Sequence, residues 1–266
     1  MRLFLIAIVV VSVFLAPLSS TAKWRPLKIH GGQEKTLNRV INDVKKTGRN
    51  AIVVFQLDST LVDTRPRTIH ILQEFGSTHD LPSAYRLQPD DLEHRSIEAI
   101  LKKVGLNKKE TEKTIEPLKS FWKERYFTND YLRFDVALPG AVAYVKKIIQ
   151  AGASVVYVTE RSESVREGTE RTLTQFGFPM RRAHLLMKPE EFQGKKDADI
   201  KFKKYAVSLI RPMGKVVAVF ENEPAHANQY RALLKDTTVI FVDTDHSPRP
   251  DKPRDEFPVI NGFLMD

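Results

Sequence analysis

Asp58, Glu221 and Glu223 each stand just beyond an apolar run of strand length, and Thr159 ends a third such run. Carboxylates so placed are hard oxygen donors of the kind that suits Mg²⁺, which takes one or two of them, keeps several waters and draws further oxygens from a substrate phosphate. Ser59, Thr60 and Thr159 offer hydroxyl and backbone donors where helices are expected to begin, a natural seat for an anion. Lys201, Lys203 and Lys204 form a basic cluster, from which one ammonium can neutralise phosphate charge. Together these residues point to a divalent cation and a phosphate ester held at one place. Each part alone has a plainer reading: Asp58 with Ser59 and Thr60 as a helix cap, Thr159 as another, and Glu221 with Glu223 as an acidic helix start.

The elements that must position them are legible as alternation. AIVVF, ASVVYVT, KVVAVF and TTVIFVD are continuous apolar runs rich in β-branched residues, the pattern of strands buried on both faces of a parallel sheet, and AHLLM is a shorter run. Between them lie segments of helical spacing: AVAYVKKIIQAG, SVREGTERTLTQFG, DADIKFKKYAVSLI and NEPAHANQYRALLK, preceded by a helix over 36–46. This is an α/β pattern: a doubly wound, mostly parallel sheet with helices on both faces, whose site lies beyond the carboxyl ends of the strands. From residue 65 to 134 no strand pattern appears. TIHILQEF, DLEHRSIEAILKKVG and KKETEKTIEPLKSFWKERYF read as helices, so this block is expected to be a helical insertion.

VVFQLDSTLVD resembles the first motif of the haloacid dehalogenase (HAD) superfamily, with Asp58, Thr60, Leu61 and Asp63 in register. VVYVTER resembles the second motif and maps its phosphate-binding hydroxyl onto Thr159, while VAVFENEPAHAN resembles the acidic fourth motif at Glu221 and Glu223. The third-motif lysine falls best on Lys203, with Lys188 and Lys201 as alternatives. The resemblance implies a Rossmann-like core over 23–64 and 135–266, a cap over 65–134, and chemistry on a phosphorylated small molecule or other anionic ligand with Mg²⁺. It places phosphate contacts at Ser59, Thr159, Glu160 and Lys203, the metal at Asp58, Glu221 and Glu223, and an acid and base at Asp58.

The departures bear on activity. In that register Gln56 occupies the nucleophile position, and a carboxamide is a poor nucleophile that also supplies one negative charge fewer to a cation. Glu160 stands where glycine is common and adds a negative charge beside the expected phosphate, which it would repel unless an arginine such as Arg161 or Arg65 compensates. Glu221 stands where aspartate is usual. The expectation is a phosphatase-like protein impaired in aspartyl-phosphate chemistry. One rival is hydrolysis by an Asp58-activated water; another is binding of nucleic acid or an anionic envelope surface through basic residues.

The remaining constraints are broad. The 266 residues suffice for a large core, and their 42% hydrophobic and 28% charged content is ordinary for a globular chain. The net charge of +9 is spread among acids and reads as a solvated surface, so nucleic acid is not the expected partner. Cysteine is absent, which excludes disulfides, thiolate metal sites and a cysteine nucleophile. Arg2, the apolar run from Leu3 and the Ser20-Thr21-Ala22 stretch read as a signal peptide over 1–22, implying export to a periplasm or outside the cell and no stable membrane span after cleavage, with an uncleaved N-terminal anchor as the competing reading. Of the seven histidines, His226 and His246 lie near strand ends and read as surface or loop residues. Phe121, Trp122, Tyr126 and Phe127 could stack on bases, but at that spacing most of them read as cap core.

Overall fold

The computed structural model describes residues 30–92, 97–247 and 250–265; the leader lies outside them. No described helix is long and apolar enough to cross a membrane. Strand β1 (Ala51–Gln56) is the centre of a six-stranded sheet. Its neighbours are β4 (Ser154–Ser162) on one side and β6 (Lys215–Glu221) on the other, in the order β5-β4-β1-β6-β7-β8, with β5 (Ala183–Lys188), β7 (Thr238–Val242) and the short β8 (Val259–Ile260) completing it. Every neighbouring pair is parallel. The chain therefore leaves β1 to build one half of the sheet and crosses back over it to build the other, which puts the switch point at the carboxyl end of β1.

Alternation along β1 divides the core. Val53 and Phe55 face a cluster that includes α1 (Gln33–Thr47) and α5 (Ala141–Gln150), while Ile52 and Val54 face α7 (Ala198–Ile210) and α8 (Pro224–Leu233). Each of these fully buried side chains contributes about 1.5–3 kcal/mol of hydrophobic stabilisation, which makes β1 the best-anchored place in the molecule from which to project a side chain. A third helix on the α1 side, α6 (Arg166–Phe176), follows β4 and ends at Gly177, whose φ of 84° suits a residue without a Cβ.

The helical block holds α2 (Arg65–Thr78), α3 (Ile97–Lys103) and α4 (Lys108–Tyr126), joined around their own apolar cluster of Ile69, Leu72, Phe75, Ile100, Leu101 and Leu118. The expected helix over DLEHRSIEAILKKVG is shorter: Pro89–Asp91 form a 3₁₀ turn and α3 starts at Ile97, residues 93–96 lying outside the description. Two short strands not visible in the sequence, β2 (Val62–Asp63) and β3 (Val136–Ala137), pair antiparallel where the chain enters and leaves this block.

A buried ion pair ties the cap to that exit. Arg67, in the first turn of α2, reaches Asp135 through Nε and Nη2, both at 2.7 Å, and donates from Nη1 to the carbonyl of Tyr126 at the end of α4. Both side chains are almost wholly out of water. Removing one member of such a pair strands the other charge, at a cost of about 3–5 kcal/mol. Asp135→Asn is expected to lose that much in urea unfolding; a loss below about 1 kcal/mol, the scale of an exposed pair, would show that the cap is held by its apolar contacts instead.

Candidate active site

The site begins in a tight turn. After Gln56 the carbonyl of Leu57 accepts from the backbone N–H groups of Thr60, Leu61 and Val62, while Ser59 adopts φ 58° and donates its N–H to Val62. This turn lifts Asp58 to the edge of a cavity of about 470 Å³ between the strand ends and the cap. Gln56, Asp58, Glu160 and Arg161 line its floor, and Leu72, Leu118 and Trp122 its roof. Ser59 is buried within the turn, outside the cavity lining, with its carbonyl accepting from the Thr244 hydroxyl.

β4 continues past Thr159, contrary to the expected start of a helix there, and carries Glu160 and Arg161 to its end at Ser162. The pleat turns these two side chains to opposite sides. Arg161 grips both oxygens of Asp58, Nε lying 3.0 and 3.2 Å from them, and places Nη2 2.7 Å from Asp135. Glu160 turns toward α7 and α8, where its Oε1 is 2.7 Å from the Lys203 ammonium and its Oε2 accepts from the Gln56 amide. The amide oxygen of Gln56 accepts from the Leu57 N–H at 2.9 Å, which fixes the side chain in this direction.

Lys203, Thr159 and Glu221 lie beneath the floor, fully buried. Lys203 bridges Glu160 and Glu221, the latter at 2.9 Å, while Lys188 lines the cavity. Lys188 pairs with Asp199, and Lys201 donates to the Lys196 carbonyl. Thr159 Oγ1 accepts only the local N–H of Arg161 among the described hydrogen bonds. The second oxygen of Glu221 accepts from the backbone of Asn222 and Glu223, and the Glu223 carboxylate is engaged by Ser247.

Two expectations need correction. Neither Arg161 nor Arg65 offsets Glu160: the first is committed to Asp58, the second to Asp63, and the buried ammonium of Lys203 does it instead. His226 is no surface residue. It is 3% exposed, with Nδ1 3.3 Å from Glu160 Oε1 and no hydrogen-bond partner at Nε2 among the described residues. Its place was readable in the helix stripe it shares with Ala227 and Tyr230, all buried at spacing i, i+1, i+4.

The electrostatics follow from these contacts. Burial alone would raise Glu160, but Lys203 and His226 hold it well below the usual carboxylate range. Burial likewise opposes the charged form of Lys203, and the two glutamates outweigh it, leaving the ammonium more firmly protonated than usual. Glu221 is raised, its burial exceeding the help from Lys203 and His226. Asp58 is lowered, since Arg161 overrides its burial.

Sheet order, inserted helices and acidic strand ends define a class first: a phosphatase-like hydrolase fold. Residues 102–216 match the family described as HAD superfamily, subfamily IIIB (acid phosphatase). No curated protein matches the chain. A candidate phosphatase from Clostridium difficile aligns over 76% of this chain and 88% of its own, with TM-score 0.50 and 12% identity. The Mycobacterium tuberculosis protein tyrosine kinase A aligns over 80% and 94% (0.48, 15%). A haloacid dehalogenase-like hydrolase from Bacteroides fragilis aligns over 79% and 96% (0.46, 12%). The chain is thus similar to the haloacid dehalogenase superfamily over residues 102–216 and in its fold.

Mg²⁺ is the cation this superfamily implies, and the donors do not fit it. Asp58, Glu221 and Glu223, the expected metal set, are not brought together with free oxygens; each is already bound by Arg161, by Lys203 and backbone N–H groups, or by Ser247. Among the described residues the carboxylate and imidazole ligand atoms that do converge, within 4.8 Å, belong to Glu160, Glu221 and His226. That set already has an ammonium in contact with both glutamates.

A pH dependence results. His226 is raised above the ordinary 6.5: burial opposes its proton, and Glu160 and Glu221 outweigh burial and Lys203. Its contribution to stability is complete below 6.5 and is lost as pH rises through the raised value; that of Glu160 is complete above the ordinary 4.5 and is lost as pH falls through its depressed value. Urea midpoints should therefore fall from pH 6 to pH 9 in the wild type and fall less in His226→Asn. Equal falls in both proteins would remove His226 as the cause.

Proposed function

We propose that this phosphatase-like protein does not carry out aspartyl-phosphate chemistry and acts by binding a ligand beneath its cap. The observation that carries the reading is the Glu160 carboxylate lying between the Gln56 amide and the Lys203 ammonium. An incoming phosphoryl group would need those same donors and would meet a fixed negative charge. Gln56 brings no carboxylate to attack phosphorus, and its oxygen is already an acceptor for Leu57. Asp58, which the family likeness makes the acid and base, is held ionised by a guanidinium on both oxygens, a poor state from which to deliver a proton. The likeness favours a phosphorylated small molecule as ligand, and a cavity of about 470 Å³ has room for one. The apolar leader with its small residues before Lys23 supports export to a periplasm or the exterior.

Purified protein should turn over p-nitrophenyl phosphate at less than about 0.01 s⁻¹ with or without Mg²⁺, against the roughly 1–10³ s⁻¹ usual for enzymes. Gln56→Asp alone is expected to stay silent because Glu160 remains in place, whereas Gln56→Asp with Glu160→Gly should gain measurable turnover. Hydrolysis by the unaltered protein at ordinary enzyme rates, abolished by Asp58→Asn, would overturn the reading.

A further inference from the structure

We propose that the buried ammonium of Lys203 is this protein's built-in cation: it occupies the charge-balancing position of a divalent metal, and the folded protein neither needs nor binds Mg²⁺. The inference deepens the reading of a site closed to phosphoryl chemistry and rests on it.

Four side chains from four elements carry the argument. Glu160 on β4 and Glu221 on β6 converge from neighbouring sides of β1, Lys203 reaches in from α7, and His226 from the first turn of α8. Lys203 Nζ lies 2.7 Å from one glutamate and 2.9 Å from the other, with its side chain wholly out of water. Two carboxylates so close in a dry interior must be bridged by positive charge or lose their own. A metal ion supplies that charge in many such clusters; here it is supplied by a covalently attached ammonium that cannot dissociate.

The oxygens left to a metal are accounted for. Glu221 spends one oxygen on Lys203 and the other on two backbone N–H groups. Glu160 has one oxygen in ion-pair contact with Lys203, without a hydrogen bond, and gives the other to Gln56. Mg²⁺ requires near-octahedral oxygen ligands and dehydrates reluctantly, so a site that already holds an ammonium and offers an imidazole suits it poorly. His226 points the same way. A buried imidazole with one nitrogen 3.3 Å from a carboxylate, and the other without a hydrogen-bond partner among the described residues, completes a nitrogen-and-oxygen donor set that lacks only the removal of Lys203. Such mixed sets suit Zn²⁺ rather than Mg²⁺.

Two measurements test this. For the wild type, 10 mM Mg²⁺ or excess EDTA should shift the melting temperature by less than about 1 °C, and calorimetric titration with Mg²⁺ should show no saturable heat. For Lys203→Met, which keeps the side-chain length and deletes the charge, the melting temperature without metal should drop. Zn²⁺ at a hundredfold excess over its dissociation constant should raise it again by about 5–10 °C, with one bound ion per chain by elemental analysis. If the variant does not fold alone, refolding with Zn²⁺ should recover it.

Saturable Mg²⁺ binding by the wild type overturns the proposal, as does a Lys203→Met protein that takes up no Zn²⁺ either folded or on refolding. These outcomes are separable from those of the hydrolysis assay. A wild type that hydrolyses phosphate esters in EDTA would refute the closed site and leave the cation assignment standing, whereas Mg²⁺ binding without turnover would do the reverse.

Discussion

Glu160 and Arg161 are adjacent on one strand, carry opposite charges and, by the pleat of β4, face opposite ways. Both are largely removed from water, and a charge in that position must find a counter-charge or forfeit several kcal/mol of hydration. The rest of the site is arranged around this pair. On one side Glu160 gathers Lys203, His226 and the Gln56 amide; on the other Arg161 gathers Asp58 and Asp135, and through Asp135 the Arg67 of the cap. Moving the strand by a single residue would exchange the two sides and break the contacts that Glu160 and Arg161 make.

A catalytic site of this kind works by holding donors in reserve for charge that appears in the transition state. Here the donors are spent in the resting protein. The Lys203 ammonium and Gln56 amide satisfy a carboxylate that is always present, and the Arg161 guanidinium satisfies another. On the reading proposed above, these contacts are made before any ligand arrives and would serve order rather than rate. The fold keeps the architecture of a phosphatase-like hydrolase while its polar groups serve as internal structure.

The parts legible in the sequence were those governed by short-range pattern. The runs AIVVF, ASVVYVT and KVVAVF are strands because burial on both faces demands continuous apolar residues, and their order puts Gln56, Thr159 and Glu221 on one sheet edge. The missing parts depend on contacts distant in sequence. β4 outruns its apolar run because Glu160 and Arg161 are held extended by partners on other elements, which no local propensity records. Asp135 finds Arg67 across 68 residues of cap. The two-residue strands β2, β3 and β8 are too brief to leave any periodicity. His226 was mistaken for a loop residue because a polar side chain beside a strand end is usually wet, whereas here a carboxylate waited for it.

The bond from Arg67 to Asp135 also says how molecules reach the cavity. Arg67 stands in the first turn of α2, where a lid would have its hinge, and it is fastened both to the chain leaving the cap and to the carbonyl ending α4. Swinging the helices outward would flood a dry guanidinium and its carboxylate at once, a toll too high for rapid traffic. That pair opposes an outward swing of the helices, which leaves passage to smaller movements of side chains such as Phe127, a cavity-lining ring 55% exposed.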